Sequence, residues 1–156
     1  MQPRTQGKLY LTSPAFSQGE RIPNRYTCDG ENISPPLEIR NLPKYTESVV
    51  VIIEDPDAPR GIWTHWLVWN IPPTNLIDEG VVPGIQGTND FGKLHYGGPC
   101  PPQGLHHYYF RVYALDVMLN IKEGTGRQAL LRVMGPHVLA MGELMGVYSR
   151  YNVMMA

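Results

Sequence analysis

Four of the five histidines and all three tryptophans fall in two uncharged windows of seventeen residues, 61–77 and 94–110. The first carries Trp63, His65, Trp66 and Trp69; the second carries His95, His106 and His107. Asp55-Pro-Asp57-Ala-Pro59 stands just ahead of the first window. Folded together, these residues make apolar walls, a few imidazoles and two carboxylates at the edge, the profile of a small-ligand pocket. A carboxylate from Asp55 or Asp57 can hold one nitrogen of an imidazole and aim the other inward. Tyr108, two residues beyond His106, adds a phenolic donor. Backbone N–H groups around Gly97, Gly98 and Cys100 can come close to a ligand oxygen, since glycine carries no Cβ. Donors converging in this way suit a small oxyanion. An imidazole donates from both nitrogens only when protonated, and a neighbouring Asp raises its pKa. Anion affinity is therefore expected to rise as pH falls through about 6.5.

Each piece also has a purely structural use: a strand histidine satisfied by its neighbours, and an Asp-Pro-Asp that braces a turn through side-chain-to-backbone bonds. Two other chemistries stay open. One is a hydrolase using Cys100, or a water activated by His65 or His106 with Asp55 behind it. The other is a transition-metal site from His65, His106 and Asp55 or Asp57. No serine sits in a Gly-x-Ser-x-Gly elbow, and no activated nucleophile stands out, so the residues favour non-catalytic binding without a cofactor.

The elements that must position these side chains are mostly short strands. Fourteen of the fifteen prolines lie at or before Pro102, and proline breaks helix interiors, so helices are expected only late in the chain. Lys8–Ser13 and Ser48–Glu54 read as strands, the second β-branched enough to be buried on both faces. His65–Ile71 alternates, with His65, Leu67 and Trp69 predicted on one face. His106–Asp116 alternates as well, with His106, Tyr108, Phe110, Val112 and Ala114 together. If the strands led by His65 and His106 neighbour each other in parallel, both imidazoles emerge at one end of the fold. The long connections 26–36, 55–64 and 84–105 are the kind of loop that carries function. Late in the chain, helical spacing predicts helices over 126–134 and 136–145, the first capped by Thr125 with Gln128. A last strand is expected over Val147–Val153. The sum is an all-β sandwich with two short C-terminal helices, residues 1–156 forming one domain.

Composition narrows the class. The 156 residues are 42% hydrophobic and 17% charged, which argues against disorder. Thirteen basic and fourteen acidic side chains leave a net charge of −1, so nucleic-acid binding is not expected. The longest aliphatic run, Val49–Ile53, cannot span a bilayer, and the first ten residues hold no apolar stretch suited to a signal peptide. A cytoplasmic protein is the expectation. Cys28 and Cys100 fit no motif spacing and are read as two reduced thiols. Tyr148, Tyr151, Met154 and Met155 are compatible with a homodimer contact, or with a closing strand.

Asp55-Pro-Asp-Ala-Pro-Arg-Gly-Ile-Trp-Thr-His65-Trp, followed by Tyr96-Gly-Gly-Pro-Cys-Pro-Pro-Gln-Gly-Leu-His106-His-Tyr108-Tyr-Phe, resembles the phosphatidylethanolamine-binding protein family. The likeness is to its bacterial and archaeal branch, often called Raf-kinase-inhibitor-like. Cys28-Asp-Gly-Glu-Asn-Ile-Ser-Pro-Pro-Leu37 and the stretch from Pro136 to Tyr148 share it, so it spans about Leu9–Tyr151. The resemblance implies a β-sandwich whose small pocket accepts phosphate, acetate or a phospholipid headgroup. The residues matching that pocket are Asp55 and Pro59, Trp63 and His65, Gly98, Cys100 and Pro101, and His106 and Tyr108. It also raises a protease or kinase as a protein partner, without support from the residues themselves. Two departures stand out. His107 occupies the place of the family's usual Arg, removing a fixed cation. The chain also ends soon after Tyr151, without the C-terminal helix of eukaryotic relatives, so the pocket mouth is expected to be more open.

Overall fold

A computed structural model describes residues 7–150. Their elements run β1 (Gly7–Lys8), β2 (Tyr10–Thr12), β3 (Leu37–Arg40), β4 (Ser48–Asp55), β5 (Trp63–Ile71), β6 (Leu76–Ile77), β7 (Ile85–Gln86), β8 (His106–Leu115), α1 (Arg127–Met134) and β9 (Val138–Tyr148). Six strands form one sheet in the order β1-β9-β8-β4-β5-β7, and β2-β3-β6 form a smaller sheet. The expected sandwich is there. Its main core, with Leu11, Ile39, Val51, Ile53, Val68, Phe110 and Leu144, lies between the sheets. A second cluster, with Val50, Ile52, Leu67, Trp69, Leu130 and Met134, packs α1 on the outer face of the large sheet.

β4 is buried at all eight positions, as its β-branched run predicts, because both clusters draw on it in alternation. It pairs antiparallel with β5 on one side and β8 on the other, so β5 and β8 run parallel with β4 between them. The strands led by His65 and His106 thus share a direction and an end of the sheet, but they are not neighbours. The end of β4, at Asp55, falls between their starts. Glu54 points the other way and binds Arg111 and the Nε of Arg127, the latter at 2.6 Å.

Three expectations are corrected. The helix over 136–145 is instead a single 3-10 turn, Gly135–His137, leading into β9. Val138, Ala140, Gly142, Leu144, Gly146 and Tyr148 are all buried, a period of two, and from Ala140 onward they face the core between the sheets, while Val138 packs in the cluster with α1. Helical spacing misled because two of the inward positions are glycines and count as neither apolar nor polar. The lack of side chains there is structural: a Cβ on Gly146 would meet Ile22 and Phe16 at 2.6 and 2.7 Å, and one on Gly142 would meet the Leu9 backbone at 2.7 Å. The predicted strand 147–153 is accordingly only the tail of β9, and residues 151–153 lie outside the described residues. The helix α1 begins at Gly126 without a side-chain cap, and the Thr125 hydroxyl donates to Lys122 O instead.

The cysteines are the third correction. Cys28 and Cys100 form a disulfide, with Cα atoms 5.4 Å apart across a sequence separation of 72. No local motif brings them together. The loops 26–32 and 96–100 do, packed so closely that a Cβ on Gly98 would overlap Tyr26 O at 2.2 Å. Cys28 N donates to Pro99 O at 3.1 Å, and the Tyr96 hydroxyl to Tyr26 O at 2.6 Å.

Two tests of packing follow. Gly146→Ala inserts a methyl into a full core and is expected to cost about 1–3 kcal/mol, read as a lowered melting temperature. Gly135→Ala, with open space around its Cβ and helical backbone angles, is the control and should be neutral or slightly stabilising. Equal melting points for the two variants would refute the close-approach account. Reducing the disulfide releases a long loop in the unfolded chain, worth roughly 4 kcal/mol by loop entropy, and should lower the melting temperature by roughly 10 °C.

Candidate functional site

The candidate site lies at the end of the large sheet where β4 finishes and β5 and β8 begin. Asp55 is opposite Trp63, and Ile53 is opposite Trp66, but Glu54 is opposite Thr64. One extra residue is therefore accommodated between Trp66 and Thr64, and that residue is His65. The bulge breaks the alternation in which His65 would share a face with Leu67 and Trp69. Those two pack in the cluster under α1, whereas His65 lines a pocket with Trp63, His106 and Tyr108. Bulges commonly re-aim a side chain beside a functional site. The predicted face for His65 was wrong, and its correction is what brings the two histidines together.

The loop 84–105 secures the bulge. Thr64 N donates to the Asp90 carboxylate at 2.6 Å, and Asp90 N to Thr64 O at 3.0 Å. Buried Asn89 donates from Nδ2 to His65 O at 3.0 Å and to His95 O at 2.8 Å. Gly97 N donates to His65 O at 3.2 Å, and the His65 ring returns the contact, Nδ1 donating to Gly97 O at 2.6 Å. A carbonyl can only accept, so Nδ1 carries the proton, and Nε2 is the bare nitrogen of the neutral ring. Burial holds the His65 pKa below the ordinary histidine value, outweighing the bond to Gly97 and the charge of Asp55. An upward shift from a neighbouring Asp was expected; for His65 desolvation wins.

His106 is held differently. Its Nδ1 donates to Asp55 Oδ2 at 2.6 Å, so Nε2 is again the free nitrogen. Asp55 Oδ1 accepts from Asp57 N at 2.7 Å, which turns the carboxylate toward the ring. Asp57 lies outside the pocket lining and repeats the arrangement one residue along, accepting from both His107 N and His107 Nδ1, the latter at 2.7 Å. Those bonds to His107 hold the Asp57 pKa below the usual carboxylate range. His107 is thus tied to this loop through both its backbone N–H and its ring. Tyr108 stands on the same face of β8, and its pKa is pushed up, first by burial and then by the charges of Asp55 and Asp57, so it stays a phenol donor.

The pocket of about 230 Å³ is lined by Asp55, Ala58, Pro59, Trp63, His65, Phe91, Cys100, Pro101, Pro102, His106 and Tyr108. That is smaller than the ~300–1,000 Å³ typical of drug-sized ligands. The residues holding its polar atoms are sequestered: Tyr108 is 1% exposed, Asp55 and His65 3%, and His106 7%. The rings form a continuous lining, with centroids 5.5 Å apart for Trp63–Phe91, and 5.3 Å for both His65–Phe91 and His65–Tyr108.

Eight of the ten candidate residues line this pocket: Asp55, Pro59, Trp63, His65, Cys100, Pro101, His106 and Tyr108. Asp57 and Gly98 do not. Gly98 is behind the wall, its N–H donating to Asn32 Oδ1 at 2.8 Å, and Gly97 N is spent on His65 O. The backbone donors expected from those glycines are therefore unavailable. Cys100 lines the pocket as a half-cystine, which removes the thiol that the hydrolase reading required. Among the described residues, no group of three or more His, Cys, Asp or Glu side chains is arranged to hold a metal ion. Nδ1 of both histidines is already committed. Phe91, Ala58 and Pro102 were missed. Nothing in the local sequence marks Phe91, whose place depends on the loop that clasps the bulge.

A model of the phosphatidylethanolamine-binding proteins matches residues 12–149. A UPF0098 protein of Pyrococcus horikoshii is 49% identical over 149 residues, covering 88% of this chain and 75% of the relative. The crystal structure of a phosphatidylethanolamine-binding protein homolog from Chlamydia trachomatis superposes with a TM-score of 0.89 at 43% identity, covering 93% of this chain and 99% of that one. YbcL of E. coli, described as a member of the mammalian PEBP family, gives 0.84 at 31% identity over 92% of this chain and 99% of its own. No helix among the described residues is long and apolar enough to cross a membrane. With sequence, family model and fold agreeing over nearly its full length, the chain belongs to the phosphatidylethanolamine-binding protein family.

Proposed function

We propose that this protein is a non-catalytic binder of a small oxyanion, phosphate or a phosphate-bearing group, acting as a regulatory or inhibitory module. One observation carries the reading. His65 Nε2, His106 Nε2 and the Tyr108 hydroxyl sit on almost fully buried residues that line one small pocket, and have no hydrogen-bond partner among the described residues. None of the three is sealed from solvent, and three open polar groups reached through one largely apolar hollow suit a polar ligand. Asp55 supports the ligand indirectly, by fixing the His106 tautomer and the direction of its ring.

The tautomers define which oxyanion fits. With His65 neutral near pH 7, its Nε2 accepts a hydrogen bond, so an anion carrying its own O–H is preferred over one without. Phosphate has such a group at pH 8 and sulfate has none. Tyr108 supplies the complementary donor. Once pH falls below the lowered pKa of His65 and the ring gains a proton, Nε2 becomes a donor and sulfate binding improves.

Titration of inorganic phosphate and sulfate between about pH 5 and pH 8 tests this, with thermal shift and imidazole NMR as readouts. The expected result is phosphate preference at the alkaline end, narrowing toward the acid end. Equal, pH-independent affinities for both anions would show that the imidazoles do not hold the ligand. His65→Asn and His106→Asn each keep an amide N–H near the place of Nδ1 and remove Nε2. Each should weaken phosphate roughly tenfold or more, with the fold retained. Undiminished protection by phosphate in both variants refutes the site.

Without ligand, burial of His65 has a stability signature of known sign. Its folded pKa is lowered, so the unfolded chain takes up the proton first. Stability is full above about pH 6.5 and declines as pH drops from there toward the folded pKa. His65→Asn should flatten that decline in chemical denaturation; an unchanged slope would mean His65 is not neutral in the fold.

A further inference from the structure

Cys100 belongs to two cavities at once. It lines the oxyanion pocket with Pro101 and Pro102, and a second hollow of about 150 Å³ with Cys28, Lys93, His95 and Gly98. Cys100 and Phe91 are the residues common to both, so together they form the partition between them. The fixing of that partition is uneven. Up to Pro99 the loop is hydrogen-bonded at Tyr96, Gly97, Gly98 and Pro99. Beyond it, among the described residues, positions 100–104 take part in no hydrogen bond, and two of them are prolines with no N–H to give. What ties this stretch of wall to the rest of the fold, apart from packing and its chain neighbours, is the bond from Cys100 to Cys28. Both half-cystines are partly exposed.

We propose that the Cys28–Cys100 disulfide is a redox latch on the oxyanion pocket: oxidised, it holds the Cys100–Pro102 wall against the histidines, and reduced, it releases that wall and weakens binding. The step is ordinary thiol–disulfide exchange with a dithiol. One thiolate of the reductant attacks a half-cystine sulfur and breaks the S–S bond; its second thiol closes the mixed disulfide. Two electrons and two protons pass to the protein, which leaves with two thiols, and the reductant leaves as a cyclic disulfide. Binding then depends on how often the freed wall occupies its closed position. A wall ordered about a tenth of the time weakens apparent affinity roughly tenfold.

The latch rests on the oxyanion reading above, and the test separates the two. Inorganic phosphate is titrated at 25 °C into the oxidised protein, the dithiothreitol-reduced protein, and Cys28→Ser, whose altered residue lies outside the oxyanion pocket. Imidazole NMR gives the dissociation constants, and backbone amide relaxation is followed at Cys100, Gln103 and Gly104. The expected result is binding by the oxidised protein, roughly tenfold weaker binding by the other two, larger backbone motion confined to 100–104, and recovery on reoxidation. Equal affinity in oxidised and reduced protein overturns the latch and leaves the oxyanion reading standing. No binding by the oxidised protein overturns both. Global unfolding on reduction, seen as loss of near-UV dichroism, also overturns it, since the loss would not be local to the wall. Should Cys28→Ser fail to fold, the chemically reduced wild type decides alone.

Discussion

One extra residue in β5 sets up the site. Without the bulge, His65 would follow Leu67 and Trp69 into the cluster beneath α1, and a buried imidazole would face aliphatic side chains. With it, the ring crosses to the side of the sheet where Asp55, His106 and Tyr108 already stand. A bulge leaves backbone groups without ladder partners, and they need others. Here the loop 84–105 meets that need: Asn89, Asp90 and Gly97 take up the carbonyls of Thr64 and His65 and the N–H of Thr64. The loop is thus a structural requirement of the bulge before it is a wall of the pocket.

The two imidazoles then differ by what holds them. A neutral carbonyl orients His65, and its burial favours the uncharged ring; a carboxylate orients His106, so a proton on that ring has a counter-charge. Both arrangements leave Nε2 free in the same hollow, but with different electrostatic tolerance. A single pocket can thereby accept from a ligand at one point and donate to it at another. The apolar lining of Trp63, Phe91 and the prolines offers few competing polar partners around those contacts.

Much of this was readable in advance. Strand β4 announced itself through five consecutive β-branched residues, and β8 through an alternation that puts His106 and Tyr108 on one face. The Asp-Pro-Asp turn and the resemblance to a known family marked eight residues that do line the pocket. The misreadings have separate physical causes. Glycines at 142 and 146 blanked the alternation of β9, because a residue without a side chain carries no polarity signal, and their spacing then passed for a helix. Gly97 and Gly98 looked like free ligand donors but are spent on His65 and Asn32. The disulfide was invisible because its partners are 72 positions apart and meet only when two loops pack.

Residue types and local period determined which segments become strands, which residues carry polar chemistry, and that carboxylates and imidazoles lie close to the same loops. These properties depend on neighbours within a few positions, so a linear reading reaches them. Tertiary structure alone decided which way His65 faces, which nitrogen of each ring is free, which glycine N–H groups are already used, and that two cysteines are joined. Each of these turns on a partner far along the chain: the register of β5 on β4, the placement of Asn89 and Asp90, and the contact between residues 26–32 and 96–100. Side-chain direction in a strand flips with a single inserted residue, and no local pattern records where that residue will be absorbed.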